Sequence, residues 1–259
     1  MHLTLPNKIV AQGEFRTGDP AKPAVLLLHG FLQTHNFPTI HRLVEALSDE
    51  GYTVLAPTLS LGIPHRGQSV ACEAIHTHTV AQGAEELNAW VKWLSARQVR
   101  QIILAGHSIG NIYNLAYLSS YPDSRVKKLI GISIVEGRLK IGEPARAGLV
   151  RDLRKAVQED KRKTIEHQFS FCQRFHATRE SLLSYLEWGP DKILTAVRKA
   201  NLPVTMIMGG KDDRLGADWV DRLKKTPARV IIIPGANHFM DGQHEFDLVD
   251  EFLNEMKLP

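Results

Sequence analysis

Short apolar segments alternate with amphipathic segments along most of this chain, and the alternation narrows the possible folds more than any other feature. Ala24–Leu28 and Gln101–Ala105 are rich in Leu, Ile and Val, which is typical of strands buried on both faces. Apolar residues recur every three or four positions from Val80 to Leu94, as on one face of a helix. Strands that alternate with helices predict an α/β fold with a mostly parallel sheet covered by helices on both sides.

The same two patterns place the other elements. Strands are predicted at residues 24–28, 52–56, 101–105, 126–135, 203–208 and 229–233. Helices are predicted at about 38–48, 80–94 and 109–118, and at the end of the chain, where one face carries Phe246, Val249, Leu253 and Met256. Pro57 is expected to end its strand, because proline lacks the N–H that a sheet needs. The first two dozen residues predict short antiparallel strands at the sheet edge.

A long insertion interrupts this alternation. Between residues 137 and 200 no segment has a good strand pattern, and short helices are predicted around Leu149, Leu153, Ala156, Ile165, Phe169 and Phe175. The sequence therefore predicts a core of residues 1–136 and 201–259, with a helical cap of residues 137–200 inserted after the sixth strand. A cap at this place covers the carboxyl edge of the sheet, where ligands of open α/β sheets bind, and excludes water there.

Composition and charge exclude several classes of protein. The chain has 259 residues, 43% of them hydrophobic and 23% charged, with a net charge of +4, as in an ordinary globular protein. It has no basic block with interleaved aromatics that would predict nucleic-acid binding, and no apolar run long enough to cross a membrane. Cys72 and Cys172 stand far apart and form no motif, so no disulfide is expected. Without a signal-peptide pattern either, the sequence predicts a reduced, soluble, cytoplasmic protein.

One serine stands in a pattern that carries chemistry. Gly106-His107-Ser108-Ile109-Gly110 directly follows the predicted strand 101–105 and precedes a predicted helix. A serine on a sharp turn from strand to helix, with glycine two positions away on each side, is typical of the nucleophile elbow of acyl-transfer enzymes. The alternative is a glycine-rich turn with an ordinary serine, but the flanking strand and helix favour catalysis.

A serine nucleophile needs a base, and the base needs a carboxylate. Of the histidines, His238 is best placed, because it follows the strand 229–233 through a short loop. Asp212 follows the strand 203–208 at the equivalent edge, with the adjacent Asp213 as its alternative. Glu136, just past the strand 126–135, is a further alternative acid.

These motifs together resemble the α/β-hydrolase superfamily over nearly the whole chain, with a sheet of the eight-stranded type. The resemblance rests on His29-Gly30-Phe31, the Gly106–Gly110 pentapeptide, Gly209-x-x-Asp212 and Pro234-Gly235-Ala236-x-His238-Phe239. The order Ser, Asp, His along the chain also matches that fold. The resemblance implies that Ser108 is the nucleophile, His238 the general base and Asp212 the orienting acid. It also implies an oxyanion hole formed by the backbone N–H groups of Phe31 and Ile109.

The resemblance further implies a serine hydrolase that cleaves a small carboxylic ester or thioester through an acyl-enzyme, without a cofactor. A serine at the elbow argues against dehalogenase chemistry, which in this superfamily is associated with aspartate there. Within the enzymes, a carbon–carbon-bond hydrolase, a cofactor-free haloperoxidase and an acyltransferase stay open. Outside them, a ligand-binding receptor or scaffold with slow turnover is the alternative.

Other polar residues are weaker candidates. His29, His107 and Arg66 are possible substrate contacts. His76-x-His78 has no partner carboxylate or cysteine pair at metal-binding spacing, so no metal is expected. The basic run 161–163 is interspersed with acidic residues and predicts a solvated helix face. Asn111 stands where many relatives have a small residue, and it either crowds the elbow helix or places a polar group near the site.

Overall fold

An eight-stranded sheet forms the centre of the fold. The computed structural model describes residues 1–137 and 143–256, with Glu143 described by its backbone alone. The strands of the chain are His2–Thr4 (β1), Val10–Arg16 (β2), Ala24–Leu28 (β3), Val54–Thr58 (β4), Ile102–His107 (β5), Val126–Ile132 (β6), Thr164–Phe169 (β7), Cys172–Thr178 (β8), Val204–Gly209 (β9) and Arg229–Ile233 (β10). The sheet order is β1-β2-β4-β3-β5-β6-β9-β10, and β7 pairs with β8 separately. The pairs β1–β2 and β2–β4 are antiparallel, and all other neighbouring strands of this sheet are parallel. This arrangement confirms the predicted sheet and its antiparallel edge.

Helices cover both faces of the sheet. Their bounds are Pro38–Asp49 (α1), Val80–Ser95 (α2), Gly110–Ser120 (α3), Glu143–Asp160 (α4), Arg179–Leu186 (α5), Pro190–Lys199 (α6), Trp219–Lys224 (α7) and His244–Glu255 (α8). Alternate residues of β3 show the two layers. Val25 and Leu27 pack with residues of α1 and α8, whereas Leu26 and Leu28 pack with residues of α2 and α3. Since side chains alternate across a strand, one central strand serves both hydrophobic layers.

The prediction that Pro57 ends its strand is wrong. β4 continues to Thr58, with Pro57 paired opposite Gly13 of β2. A Cβ atom at position 13 would lie 2.7 Å from the Cα of Pro57, closer than real contacts allow. The glycine in β2 therefore provides the space that a proline inside a paired strand requires.

The face predicted for the C-terminal helix is partly wrong. Met256 is buried and Val249 and Leu253 are partly buried, but Phe246 is 73% exposed. α8 packs through a face that contains Leu248, which lies about 200° around the helix from Phe246 at 3.6 residues per turn. The prediction from apolar spacing therefore assigned Phe246 to the wrong face of the helix. The short helix α7 was not predicted at all.

The insertion between β6 and β9 is not all helical, which corrects the sequence prediction. It contains α4, α5 and α6, but β7 and β8 form an antiparallel hairpin that includes Ile165, Phe169 and Phe175. This hairpin is supported from a distant part of the chain. His76 forms a β-bridge with Ala177, and backbone hydrogen bonds join its N–H to His176 O at 2.8 Å and its carbonyl to Thr178 N at 2.9 Å. The two strands pair mainly with each other, so the helical prediction misread a local pattern.

The basic run 161–163 also differs from its prediction. It is exposed in the turn between α4 and β7 rather than on a helix face, and Lys161 pairs with Glu180 at 3.5 Å. In the part of the chain that the structure describes, no helix combines the length and apolar character needed to cross a membrane.

A disulfide joins Cys72 to Cys172, with the two Cα atoms 5.5 Å apart, so the prediction that no disulfide forms is wrong. The cysteines are 100 positions apart in sequence but meet because the loop around His76 pairs with β8. Disulfides persist mainly in oxidising compartments. The cytoplasmic location predicted from the cysteines therefore loses that support.

His29, His78 and His107 are buried in this fold and stay neutral. Burial lowers the pKa of His29, His78 and His107 to about 3 in each case. The nearby positive charge of Arg66 lowers the pKa of His29 further, and the neighbouring His76 does the same for His78. Each of these rings costs free energy to protonate in the folded state.

Acid should therefore destabilise the protein in the range where histidine titrates. The folded pKa of about 3 lies below the ordinary histidine pKa of 6.5, so the stability that these residues contribute is present above pH 6.5 and is lost as the pH falls towards 3. Each histidine accounts for a loss of up to about 1.4 kcal/mol per pH unit. Thermal denaturation followed by circular dichroism should show Tm falling from pH 7 to pH 5, and His78→Gln should make that fall shallower. A Tm that stays constant over this range contradicts the account.

Candidate active site

The elbow serine lies in a strained turn at the end of β5. Ser108 has φ +55°, a left-handed conformation that is uncommon for a residue with a side chain. A Cβ atom on Gly110 would lie 2.7 Å from the carbonyl oxygen of His29, and one on Gly106 would lie 2.8 Å from Asn114 Nδ2. Both glycines are therefore required by close approach, and together they let β5 turn sharply into α3.

Ser108, His238 and Asp212 lie together, as their places at strand ends predict. His238 Nε2 is 2.9 Å from Ser108 Oγ, and His238 Nδ1 is 2.7 Å from Asp212 Oδ2. The side chains of His238 and Asp212 are only 3% and 1% exposed. In a neutral imidazole whose Nδ1–H donates to the carboxylate, Nε2 accepts the serine proton, so the geometry suits proton removal from Ser108.

The alternative acids do not contact His238. Asp213 is exposed on the same turn as Asp212. Glu136 is buried, and its Oε1 accepts a hydrogen bond from the backbone N–H of Gly216 at 2.8 Å. Within residues 1–137 and 144–256, Asp212 is the carboxylate that reaches the histidine.

The two backbone donors implied for an oxyanion hole lie in the turns after β3 and β5. Neither the N–H of Phe31 nor that of Ile109 donates a hydrogen bond to another described residue. The N–H of Ser108, by contrast, donates a hydrogen bond of 2.8 Å to Ile132 O in β6. Two N–H groups without a described partner in the turns next to Ser108 suit the oxyanion hole that the resemblance implies.

Arg66 holds the loop that carries Phe31. Its buried guanidinium donates hydrogen bonds to the carbonyls of Gln33 at 2.6 Å, Leu59 at 2.7 Å and Gln68 at 2.8 Å, and more weakly to Leu32 O at 3.4 Å. The remaining donor is 3.2 Å from His29 Nε2. All five N–H groups of this arginine are thus directed at the protein, which corrects the prediction that Arg66 contacts substrate.

His29 completes the same loop. Its Nδ1–H donates to Gly30 O at 2.8 Å, and its Nε2 accepts from the N–H of Leu59 at 3.0 Å. These bonds need the neutral ring, in agreement with its pKa of about 3, which results from burial and then from the charge of Arg66. His29 therefore also supports the loop rather than a substrate.

His107 and Asn111 support the elbow from behind. His107 is fully buried, and its Nε2–H donates to the backbone carbonyl of His238 at 2.9 Å. The prediction that His107 contacts substrate is therefore wrong. Asn111 Nδ2 donates to the carbonyls of Ser108 at 3.1 Å and Ile132 at 3.0 Å. Asn111, which stands where many relatives have a small residue, thus adds two hydrogen bonds that link the turn at Ser108 to β6.

An aromatic cluster packs around Phe31, and sequence reasoning missed it. The ring of Phe31 lies between 5.3 and 5.8 Å from four other aromatic rings, which are Phe169, Phe171, Phe175 and Tyr185. All four belong to the β7–β8 hairpin or to α5, so the insertion covers the candidate oxyanion loop. The run of aromatics from 169 to 175 was the available signal, but it was interpreted as helical.

The two histidines of His76-x-His78 point to different partners. His76 stacks on Phe175 with ring centroids 4.4 Å apart, whereas His78 Nε2 hydrogen-bonds to the hydroxyls of Tyr113, at 2.9 Å, and Tyr185. Among the residues with described side chains, no three His, Cys, Asp or Glu lie close enough to hold a metal ion. The pair serves to join the insertion to the core.

Sequence comparison decides the family. A family model described as the alpha/beta hydrolase family matches residues 25–251, from the second residue of β3 into α8. The chain belongs to the alpha/beta hydrolase family of enzymes. This match confirms the resemblance that the four motifs indicated. No curated protein matches the sequence.

Solved structures show the same fold. Est1E from Butyrivibrio proteoclasticus with bound ferulic acid superposes with a TM-score of 0.68 at 20% identity, over 99% of this chain and 98% of that one. A monoacylglycerol lipase from Paleococcus ferrophilus gives 0.70 at 14% identity, over 95% and 98%. The esterase EaEST from Exiguobacterium antarcticum gives 0.68 at 16% identity, over 99% and 98%. At this identity the similarity concerns the fold.

Arg66 should be a major contributor to stability. Replacing it with Met removes the donors from four loop carbonyls and leaves a buried site without its hydrogen bonds, at a cost of about 2–4 kcal/mol. Arg162→Met, at an exposed position, is the matched control and should cost less than about 0.5 kcal/mol. Urea denaturation at pH 7 measures both values. Equal small losses in the two variants contradict the role assigned to Arg66.

Proposed function

We propose that the protein is a serine hydrolase that cleaves a small carboxylic ester, or a thioester, through an acyl-enzyme intermediate. The observation that carries the proposal is the chain of two hydrogen bonds from Ser108 Oγ through His238 to Asp212, at 2.9 and 2.7 Å. The three residues follow the carboxyl ends of β5, β9 and β10, which is the edge at which α/β sheets bind their ligands.

In the first half of the reaction Ser108 Oγ attacks the ester carbonyl while His238 Nε2 takes its proton. Asp212 holds the Nδ1–H of the ring and stabilises the imidazolium that forms. The tetrahedral oxyanion accepts hydrogen bonds from the N–H groups of Phe31 and Ile109. His238 then returns the proton to the leaving alcohol or thiol, and the acyl group stays on Ser108.

In the second half a water molecule attacks the acyl-enzyme. His238 Nε2 takes a proton from that water, the same two N–H groups stabilise the second oxyanion, and Ser108 leaves with the proton. The insertion acts as a cap, because its hairpin packs against Phe31 beside the nucleophile. A covered site with few waters strengthens the electrostatic interactions on which both steps depend.

The named similar structures support ester cleavage. They include an esterase and a monoacylglycerol lipase, and the structure of Est1E holds ferulic acid. Within the aromatic cluster around Phe31, the ring of Phe171 is exposed and gives this chain an apolar surface beside the candidate oxyanion loop. An ester with an apolar or aromatic part adjoining the scissile bond fits that surface.

Replacing the triad acid should nearly abolish turnover. Asp212→Asn removes the carboxylate that holds the correct tautomer of His238, and the expected loss in kcat is about 10⁴-fold. Hydrolysis of 4-nitrophenyl butyrate, followed by release of nitrophenolate, measures it.

Asp213→Asn is the matched control, since this adjacent carboxylate is exposed and does not contact the histidine. Its kcat should stay within about twofold of the wild type, as for other exposed substitutions. If Asp213→Asn loses activity and Asp212→Asn keeps it, the assignment of the orienting acid is wrong.

A further inference from the structure

Arg214 is a charged side chain next to the catalytic residues that the mechanism does not use. It follows Asp212 by two positions, and its backbone N–H donates to Asp212 Oδ1 at 3.0 Å. The other oxygen of that carboxylate bonds to His238. The main chain at Arg214 is therefore fixed to the triad acid, and its exposed side chain starts from the rim of the site.

Aromatic rings place the guanidinium across the mouth of the site. Its Cζ atom lies 4.5 Å from the ring centroid of Phe239, whose own ring is 5.2 Å from that of His238. The same Cζ lies 5.9 Å from the ring of Phe171, which in turn is 5.8 Å from Phe31. One side of the guanidinium thus adjoins a ring that packs against His238, and the other adjoins a ring that packs against Phe31.

Within the described part of the chain this cation has no anionic partner. None of its guanidinium nitrogens forms an ion pair or a side-chain hydrogen bond with the described residues. Of the two acidic residues that precede it, Asp213 forms no ion pair with the guanidinium, and Asp212 already accepts from His238 and from the backbone N–H of Arg214. The charge also acts inward: the pKa of His107 is lowered by burial, then by His238, and further by Arg214.

We propose that Arg214 binds a carboxylate group of the substrate, so that the preferred substrates are esters that carry a negative charge away from the scissile bond. A guanidinium offers paired N–H donors that match a carboxylate, and it is weakly hydrated where it lies on an aromatic face. Flanking rings of Phe171 and Phe239 would contact the apolar part of the same substrate. The inference rests on the proposed ester hydrolysis and specifies its substrate class.

Two matched pairs of substrates test the proposal for a charge on either side of the ester. The acyl-side pair is 4-nitrophenyl hydrogen adipate and 4-nitrophenyl adipamate. The far end of the acyl chain is a carboxylate in the first compound and a carboxamide in the second. The alcohol-side pair is 4-carboxyphenyl butanoate and 4-carbamoylphenyl butanoate. The quantity measured is the ratio of kcat/KM for the anionic member to that for the neutral member of each pair.

Arg214→Gln should lower this ratio about tenfold or more in at least one pair, mainly through KM, because one charge-assisted contact to substrate is lost. Arg214→Lys should restore part of the ratio, and added salt should weaken it in the wild type. Arg97→Gln is the matched control: Arg97 also lies over an aromatic ring, 3.3 Å from the centroid of Trp93, and its ratios should equal those of the wild type.

The outcomes separate this inference from the function beneath it. If the wild type hydrolyses the neutral esters but Arg214→Gln changes neither ratio, Arg214 has only a packing role and the inference is wrong. If the wild type releases no phenol from any of the four esters, the proposed ester hydrolysis itself is contradicted.

Discussion

The strained turn at Ser108 is the constraint on which the rest of the site depends. A left-handed residue with a side chain costs about 1–3 kcal/mol, and surrounding structure must offset that cost. Here the offset comes from β6, since Ile132 O accepts from the N–H of Ser108, and from Asn111, whose amide donates to the carbonyls of both residues. The same turn directs Ser108 Oγ towards His238 and leaves the N–H of Ile109 unused.

The second half of the site is held from distant segments. Arg66 and the neutral His29 fasten the loop of Phe31 to its neighbours through backbone carbonyls and an N–H. The insertion then packs its aromatic rings on Phe31, and the bond between Cys72 and Cys172 joins that insertion to the loop that follows β4. The candidate site is therefore held by hydrogen bonds on the core side and covered by an insertion that a disulfide joins to the core.

Sequence reasoning succeeded where a local pattern determines the structure. The parallel strands follow from apolar runs, and the meeting of Ser108, Asp212 and His238 follows because carboxyl ends of parallel strands share one edge. It failed where the partner is remote. The disulfide spans 100 positions, and His76 bridges to β8 from a distant loop, whereas the β7–β8 hairpin was missed although its two strands pair with each other. Arg66 is a possible substrate contact in the sequence, and only its five bonded N–H groups show that it supports the loop instead.

The central claim is that Ser108 is an activated nucleophile, and covalent labelling tests it most directly. Folded protein is incubated with a fluorophosphonate, which reacts with serines that have an adjacent base, and the adduct is located by intact mass and peptide mapping. We expect one adduct per chain, on the peptide that contains Ser108, with no adduct in Ser108→Ala and a much slower reaction in His238→Ala. An unlabelled folded wild type, or an adduct on a different serine, would contradict the account.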